Sequence, residues 1–374
     1  MLTPTARVMA AFVLHATTVG GLFVRLPEIQ KALGISAGIY GLVLLAMPVG
    51  VLLGSVLIPR QIDRFGPRRL IAVGLVVSTA LQVVIALSVD PWSLSAILFV
   101  YGLFFAAGNV SVNVEANSHE LATGEAIMSR CHGWWALGFL AMSLIAAGIV
   151  RLGIAPVWQF AGHAVAMAGL VALFILPMAD RPPAAGAAPA RRFAVPGRAV
   201  LLIGAWALAG ILMEGTTRGW IVIYLRDDFG ASDALAALGL PAVVLTQTVF
   251  RFAGDGMIAR FGLAAVGRVS ALVTALGILF IVLSPSVPLV LLGCLLIGAG
   301  IATTMPQAFA ASARVPGRPS AESVAAFAAL STLVNFMGPP LFGGLAEVTG
   351  LAVAFALVLP LTVLSFVLSG RLRA

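Results

Sequence analysis

The stretch RQIDRFGPRRL, residues 60–70, is a short basic break between two long apolar segments. It holds four arginines and one aspartate, whereas the neighbouring segments, residues 38–58 and 70–89, contain no charged residue. Each segment has about the 20 residues that a helix needs to span a bilayer. The pattern therefore predicts two membrane-spanning helices joined by a loop at one face of the membrane.

Apolar segments of this length recur along the whole chain. Of its 374 residues, 61% are hydrophobic and only 10% are charged, and the mean hydropathy is +1.09, which excludes a soluble globular domain. The apolar runs are too long for barrel strands and lack period-two alternation, so we predict an all-α integral membrane protein. The twelve predicted transmembrane helices cover residues 8–24, 38–58, 70–89, 93–114, 133–152, 158–177, 199–224, 235–258, 264–284, 288–309, 323–346 and 350–369.

The basic residues are distributed unevenly between the two ends of the predicted helices. If the N-terminus is inside, sixteen of the 22 Lys and Arg residues lie at cytoplasmic ends and four at the opposite ends. The other two, Arg218 and Arg251, lie within spans. The positive-inside rule then predicts a multi-pass protein with both termini in the cytoplasm. Because topology accounts for the net charge of +8, we expect no nucleic-acid partner.

A segment rich in Pro, Ala and Arg divides the predicted helices into two sets of six. We expect this segment, residues 179–198, to be a cytoplasmic linker. It separates an N-terminal six-helix bundle, residues 1–178, from a C-terminal six-helix bundle, residues 199–374.

The two halves resemble each other weakly. The spacing from Gly108 to Glu115 recurs from Gly300 to Gln307 at an offset of 192 residues. ALGIS, residues 32–36, is followed by the similar DFGAS at an offset of 196. Internal repeats of this kind are typical of transporters.

The basic break resembles the signature loop of the major facilitator superfamily, Gly-x-x-x-Asp-Arg-x-Gly-Arg-Arg. The matching residues are Asp63, Arg64, Gly66, Arg68 and Arg69. Pro59 stands where the family has its leading Gly, which puts in doubt the close helix contact that this Gly allows. The resemblance covers nearly the whole chain and implies the major facilitator fold, in which twelve transmembrane helices form two six-helix bundles with pseudo-two-fold symmetry.

The same resemblance implies that such loops act as gating latches during alternating access. The second-half counterpart, RFAGDGMIARFG at residues 251–262, has Ala259 in place of the Asp. We expect Arg251 and Asp255, at i and i+4, to supply the missing ion pair. The predicted gating residues are Asp63, Arg64, Arg68, Arg251 and Asp255. The alternative is that these arginines only fix topology and bind lipid phosphates.

Four patches carry a finer resemblance, to the YbjJ-like branch of bacterial major facilitators, which is similar to the fucose:proton symporter family. They are RLPEIQKALGIS at residues 25–36, NVEANSHE with IMSRCHGWWALG between residues 113 and 138, EGTTRGWIVIYLRD at residues 214–227, and RFAGD at residues 251–255. This resemblance implies a bacterial inner membrane and proton-coupled symport.

Polar residues concentrate on spans 1, 4, 7 and 10, which line the central cavity in the superfamily that the chain resembles. Glu214 lies about 24 Å along span 7 from Arg198, and Arg218 follows at i+4. A carboxylate at that depth must be paired, protonated or hydrated. We predict that Glu214 and Arg218 form a proton-coupling or substrate-orienting pair. The alternative is a structural salt bridge.

Glu115 on span 4 and His15 on span 1 are further candidates for proton coupling. In fucose-type symporters a span-four Glu and a span-one Asp matter. This sequence offers Glu115 for the first but only His15 for the second, so the correspondence is incomplete. An imidazole with an unperturbed pKa of about 6.5 suits a proton relay. The alternative is a neutral His hydrogen-bonded between helices.

The predicted substrate-binding residues are polar or aromatic side chains of the spans. Asn109 and Asn113 share a face of span 4, where they either bind sugar hydroxyls or stitch helices together. Trp220 and Tyr224 either stack on a sugar ring or belong to an interfacial belt. The full set is Asn109, Asn113, Thr217, Trp220, Tyr224, Thr303, Gln307 and Asn335.

These patterns predict a secondary active transporter, proton-coupled, that moves a small polar solute such as a sugar or organic acid by alternating access. The alternative within transporters is proton-driven efflux of drugs or other amphipathic compounds, against which the amide-rich span 4 argues. Outside transporters, the alternatives are an intramembrane enzyme, a receptor and a lipid scramblase. The sequence contains no GxxxxGK[ST] loop and no metal-ligand spacing, so we expect no cofactor, metal or catalytic residue. The expected partners are the solute, protons and membrane lipids, and we expect a monomer.

Overall fold

The computed structural model describes residues 3–125, 127–179 and 196–370, and this part of the chain is helical. Its contacts divide the chain into two compact units, Met1–Gly186 and Ala187–Ala374. The predicted linker, residues 179–198, lies almost wholly outside the described residues.

The N-terminal unit is built from six long helices. They are α1 (Pro4–Ala32), α2 (Ala37–Phe65), α3 (Pro67–Ala86), α4 (Pro91–Thr123), α5 (Met128–Arg151) and α6 (Pro156–Leu170), which a π-helical turn, Val171–Ile175, extends.

The C-terminal unit contains the remaining helices, and three of its spans are made of two consecutive pieces. They are α7 (Arg198–Asp227), α8 (Asp233–Ala236) with α9 (Gly239–Phe261), α10 (Leu263–Leu283), α11 (Val287–Ile301) with α12 (Thr304–Ala313), α13 (Ser320–Thr349), and α14 (Leu351–Ala356) with α15 (Leu359–Ser369). In the described part of the chain, twelve segments are long and apolar enough to cross a membrane, as the sequence predicts.

Two helices of the N-terminal unit extend well beyond their predicted spans. α1 begins at Pro4, where the Thr3 hydroxyl caps it, and runs to Ala32 through Pro27. α4 continues to Thr123 and ends at Gly124, whose φ of +71° favours glycine. Because hydropathy falls before the helix ends, the sequence pattern located the apolar core of each span but not its ends.

The weak internal repeat corresponds to a repeated set of local structures. Ser36 caps α2 and Ser232 caps α8, at the predicted offset of 196 residues. Gly66 and Gly262 have the same offset and nearly the same backbone angles, with φ of 78° and 80° and ψ of 155° in both. The described residues with positive φ are all glycines, and they fall into the corresponding pairs Gly34 and Gly230, Gly66 and Gly262, Gly124 and Gly317, and Gly153 and Gly350.

Glycines set the helix packing in the N-terminal unit. A Cβ atom at Gly50 on α2 would overlap the carbonyl oxygen of Phe99 on α4. A Cβ atom at Gly74 on α3 would lie 2.5 Å from the backbone nitrogen of Gly108 on α4. In a bilayer, where lipid is as apolar as Leu, such close backbone approach is a main source of helix association. These glycines therefore hold α2 and α3 directly against α4.

The C-terminal unit has a separate apolar core around the first half of α7. Val200, Trp206 and Phe327 are buried there together. The Trp206 indole donates a hydrogen bond of 2.9 Å to Ser369 Oγ, and Ser365 Oγ donates to the Trp206 carbonyl. These contacts join α7 to α13 and α15, and they hold in place the helix that carries Glu214.

Candidate functional site

Glu214 lies in a cluster of three charged side chains within the C-terminal unit. Its Oε1 atom is 2.5 Å from Nη2 of Arg218 on the same helix and 3.6 Å from Nη2 of Arg251 on α9. The side chains are 18% exposed for Glu214, 28% for Arg218 and 31% for Arg251, so each remains partly accessible. The i+4 pair expected from the sequence is present, and a second guanidinium joins it.

Arg251 also reaches the break between α11 and α12. Its Nε atom donates a hydrogen bond of 3.3 Å to the carbonyl oxygen of Ala302. In a continuous helix this oxygen would accept from the backbone nitrogen of residue 306, but that residue is proline and has no N–H. Pro306 thus frees a carbonyl in the tenth span, and Arg251 binds it. The cluster therefore connects α7, α9 and the interruption of span 10.

The sequence predicts a gating pair of Arg251 with Asp255, and the structure adds two contacts of the Arg251 guanidinium with other helices. The contacts of Arg251 are to Glu214 on α7 and to the Ala302 carbonyl in span 10. The local i+4 relation gave no indication of this, because packing between helices decides which way an arginine extends. The side chain of Asp255 lies outside the described part of the structure.

Gln307 is a buried amide. It is 2% exposed, and neither its Oε1 nor its Nε2 atom has a hydrogen-bond partner among the described residues. A buried amide without partners costs about 1–3 kcal/mol, so such a group is positioned to receive another polar molecule. Its match at the sequence offset of 192 residues, Glu115 on α4, is equally buried at 2%. At this offset the sequence has an amide in one unit and a carboxyl group in the other.

Beyond Glu115, the end of α4 joins a polar cluster with the start of α1. Nε2 of His119 lies 3.1 Å from the Thr5 hydroxyl, which donates to Glu125 at 3.2 Å. Arg130 also donates to Glu125, and this bond holds the pKa of that carboxyl below its usual value. Because α4 continues past Glu115 into this cluster, Glu115 is fully within the helix.

His15 is held between three helices of the N-terminal unit. The Trp135 indole on α5 donates a 3.1 Å hydrogen bond to Nδ1 of His15, whose Nε2 lies 3.2 Å from the Phe105 carbonyl on α4. An indole N–H can only donate and a carbonyl can only accept, so the neutral tautomer with its proton on Nε2 satisfies both contacts. A second proton on Nδ1 would face the indole N–H. This geometry favours the structural alternative for His15.

A second imidazole, His163 on α6, completes a polar network that connects four helices of the N-terminal unit. Its two nitrogens each lie 3.2 Å from a polar partner, the Thr17 hydroxyl and Gln82 Oε1. The Gln82 amide nitrogen and the Tyr101 hydroxyl both donate to the Thr18 carbonyl. Neutral hydrogen bonds thereby join α1, α3, α4 and α6.

The amides of span 4 bond along their own helix. Nδ2 of Asn113 donates to the Asn109 carbonyl at 2.8 Å and approaches Asn109 Oδ1 at 3.4 Å. Both side chains remain half-buried. Thr217 is buried and donates to its own helix at Met213, 2.7 Å away, while the Thr303 hydroxyl lies 3.5 Å from Ser270 Oγ.

The two aromatic candidates lie in the apolar interior of the C-terminal unit. Trp220 packs against Phe342, and the Tyr224 ring meets Phe355, with its hydroxyl donating to the Ile281 carbonyl at 3.0 Å. Asn335 and Trp220 share a cavity of about 10 Å³, which has room for about one water molecule. In this conformation, neither ring is available for stacking on a sugar.

The residues of the basic break lie at the loop between α2 and α3. Asp63 and Arg64 are exposed, and Arg64 stacks on Phe65. Arg68 donates to the carbonyls of Leu176 and Met178, each at 3.1 Å, and so ties this loop to the end of the sixth span.

Twelve apolar helices in two six-helix units, with charged and amide groups inside the second, define a multi-pass integral membrane protein. The family model of the major facilitator superfamily matches residues 8–219, and the chain belongs to that superfamily of transporters. The expected motif residues lie within this match.

Relatives and solved structures agree with this assignment. The uncharacterized transporter y4wD of Sinorhizobium fredii is 31% identical over 366 residues, which cover 96% of this chain and 95% of the relative. The nucleoside transporter NupG is similar in fold, with a TM-score of 0.78 at 14% identity over 100% of both chains. A D-xylose-proton symporter has a TM-score of 0.72 at 14% identity, covering 99% of this chain and 98% of the other. The Sinorhizobium fredii relative is named as a transporter, which agrees with the expectation that this chain is not an enzyme.

Proposed function

We propose that this transporter is proton-coupled and moves a small polar solute, a sugar or an organic acid. The observation that carries the proposal is the Glu214 carboxylate, which two guanidinium groups contact inside a membrane-spanning unit. A buried carboxylate between cations changes its interactions when it binds a proton, because neutralisation removes the attraction on both arginines. Glu214 is the residue to which we assign coupling.

Protonation of Glu214 would act on span 10 through Arg251. That guanidinium is shared between Glu214 and the Ala302 carbonyl, at the interruption that Pro306 creates. When Glu214 is neutral, Arg251 loses the attraction to the carboxylate and keeps its hydrogen bond to the Ala302 carbonyl in span 10. Interrupted helices are where transporters commonly place substrates and coupling ions. The protonation of Glu214 on α7 and the arrangement of span 10 would thus change together during alternating access.

The residues around the interruption suit a hydroxylated or carboxylated solute. Gln307 follows the break and offers an amide that has no hydrogen-bond partner among the described residues. In the N-terminal unit, Asn109 and Asn113 offer half-buried amides on span 4. Two proteins of the same fold are named for a nucleoside and for D-xylose with a proton, and both solutes carry hydroxyl groups. We assign Gln307, Asn109 and Asn113 to substrate binding ahead of the buried Trp220 and Tyr224. Asn335, which is exposed and donates to the Ser331 carbonyl of its own helix, also ranks behind these three amides.

Several finer assignments belong to the same proposal. We assign the chain to the YbjJ-like branch, near the fucose:proton symporters, and to the inner membrane of a bacterium with both termini in the cytoplasm. We also assign the loop residues Asp63, Arg64 and Arg68 to gating. Glu115 is the second carboxyl group for which we propose a role in coupling.

The test begins with ligand-dependent thermal melting of the purified protein in detergent. The panel contains sugars, organic acids, amino acids and hydrophobic cations. A ligand at 100 times its Kd stabilises the folded state by about 2.7 kcal/mol, which shifts the melt measurably. A response to the hydrophobic cations alone would contradict the polar-solute proposal and favour drug efflux.

Uptake into proteoliposomes with an imposed pH gradient then tests coupling with the solute that the panel identifies. We expect Glu214→Gln to abolish accumulation driven by the gradient while solute exchange continues. Glu322→Gln is the matched control, because Glu322 forms the same kind of i,i+4 pair with Arg318, at 2.6 Å, away from the Glu214 cluster. Accumulation by Glu214→Gln at the wild-type level would refute the assignment. Loss only in Glu115→Gln would move coupling to the N-terminal unit.

A further inference from the structure

A large apolar groove lies between α9, α10 and α11, separate from the Glu214 cluster. Its volume is about 590 Å³, within the range of roughly 300–1,000 Å³ that is common for small-ligand sites. It extends from Phe261 at the end of α9 to Thr246 near the middle of that helix. The fifteen residue steps between them correspond to about 22 Å of helix, more than half of a hydrocarbon core about 30 Å thick. The groove is therefore long enough to hold the chain of a lipid in one leaflet.

The internal repeat explains why this groove forms in the C-terminal unit. At the offset of 196 residues, Gly50, Gly54 and Gly74 correspond to Thr246, Phe250 and Ser270. All three glycines pack against α4 in the N-terminal unit. All three replacements line the groove. Larger side chains stand at these three positions and line an apolar space, while Gly298 and Gly300 still bring α11 close to α9 and α10 beside it.

The lining has no polar group left to satisfy. Its two side-chain hydroxyls are engaged, since Thr246 Oγ1 donates to the Leu295 carbonyl at 2.6 Å and Ser270 Oγ lies 3.5 Å from Thr303 Oγ1. The remaining lining side chains are apolar, and Phe261 and Val269 are about 60% and 59% exposed. Such a surface at membrane depth matches a hydrocarbon chain and offers nothing to a polar solute.

The end of the groove at the α9–α10 loop is positively charged. Arg260 stacks on Phe261, a lining residue, with its Cζ atom 5.2 Å from the ring centroid. Arg314 lies in the α12–α13 loop at the same end of the unit, because α10 leads away from this end and span 10 returns to it. Arg268, on α10, stacks on Phe366 of α15, and Arg318 pairs with Glu322 at 2.6 Å. Arg260 is therefore the cation in contact with the lining of the groove. An anionic headgroup complements this end.

We propose that an anionic phospholipid binds here, with an acyl chain in the groove and its phosphate at Arg260. Anionic lipids gain about 1 kcal/mol per basic residue near a membrane surface, a factor of about five in affinity. The same chain offers a close comparison at Arg64, which stacks on Phe65 at the corresponding loop of the other unit but has the packed glycines behind it. The proposal does not depend on which solute is transported.

Native mass spectrometry of the purified full chain, titrated with dioleoyl phosphatidylglycerol, tests the headgroup site. We expect Arg260→Gln to weaken the affinity about fivefold. The matched variant Arg64→Gln should leave it within twofold of the wild type. Dioleoyl phosphatidylcholine, which has the same acyl chains without the net charge, should bind more weakly than phosphatidylglycerol. Equal losses in the two arginine variants, or equal binding of the two lipids, would overturn the role of Arg260.

A second pair of variants tests the groove itself. Ala265→Trp places a large ring at an exposed lining position, and Leu272→Trp places the same ring on an exposed face of α10 outside the groove. We expect Ala265→Trp to weaken phosphatidylglycerol at least fivefold and Leu272→Trp to have no effect. Unchanged binding in Ala265→Trp would refute the acyl-chain site. A dimer of the wild type that Ala265→Trp dissociates would overturn the proposal in favour of a second copy of the chain.

Discussion

Two groups of bonded polar side chains, one in each six-helix unit, are built in different ways. In the N-terminal unit, His15, His163 and Gln82 are joined by hydrogen bonds to an indole, a hydroxyl and backbone carbonyls. In the C-terminal unit, a carboxylate and two guanidinium groups meet, and one of these extends to a broken helix. A neutral network fixes geometry, whereas an ion cluster changes its strength when one member takes up a proton. We infer from this difference that the neutral network acts as a frame and the ion cluster as the responsive part.

The largest effect that tests this difference is expected when one charge is removed from the ion cluster. Removing one partner of a buried ion pair costs about 3–5 kcal/mol, and the partial exposure of these side chains lowers our expectation for Glu214→Ala to about 2–3 kcal/mol. The loss arises because both guanidinium groups stay at membrane depth without their carboxylate. The free energy of unfolding is measured by titration with a denaturing detergent.

A double-mutant cycle separates coupling from general damage. Glu214→Gln combined with Arg251→Gln removes a carboxylate and one of the two cations that it contacts. We expect this double variant to be more stable than the sum of the two single losses predicts, by about 1 kcal/mol or more. Strictly additive losses would mean that Glu214 and Arg251 do not interact, and the ion cluster would reduce to the local pair with Arg218.

A smaller effect is expected from the neutral network around His15. His15→Leu leaves the Trp135 N–H without its acceptor, which should cost about 1–3 kcal/mol in a buried site. Transport driven by a pH gradient should nevertheless persist, because the hydrogen bonds of His15 fix a neutral tautomer. Unfolding and gradient-driven uptake are measured on the same preparation.

The control for His15 is the Trp135→Phe variant, alone and combined with His15→Leu. The combined variant removes donor and acceptor together, so it should recover part of the stability that His15→Leu loses. Uptake that fails in His15→Leu while the protein remains folded would place proton transfer in the N-terminal unit. That result would reverse the roles assigned to the two units.

The sequence predicts the architecture well because it follows from local composition. Twelve apolar runs of spanning length are visible without any knowledge of packing, and the described part of the chain has twelve such segments. The Glu214–Arg218 pair is equally local, since i and i+4 meet on any helix. Gly108 and Gly300 reflect the repeat that the backbone angles of the paired glycines display more fully.

The arrangement around the site depends on packing between helices, which the sequence shows only indirectly. Nothing near Arg251 indicates that α9 turns it towards α7, and nothing near His15 indicates Trp135, 120 residues away. Trp220 and Tyr224 have the polar-tipped rings of a binding face, yet both lie in the apolar interior of their unit. One signal was present and not used: Pro306 within an apolar span marks a carbonyl that needs a new donor, and Arg251 supplies it.

The smallest expected effect concerns a feature that the two units share. Ser36 and Ser232 occupy equivalent N-caps, and their hydroxyls accept from the backbone nitrogens of Ile39 and Leu235 at 3.5 and 3.4 Å. Such long cap bonds belong at the low end of the usual range, so Ser36→Ala and Ser232→Ala should each cost about 0.5 kcal/mol. Equal losses would mean that the repeat preserves the energetics of the cap as well as its geometry. A loss above about 1.5 kcal/mol at Ser232 alone would show that the short helix α8 depends on its cap, whereas the 29 residues of α2 do not. Both variants are compared in one detergent by the midpoint of unfolding, with the wild type as reference.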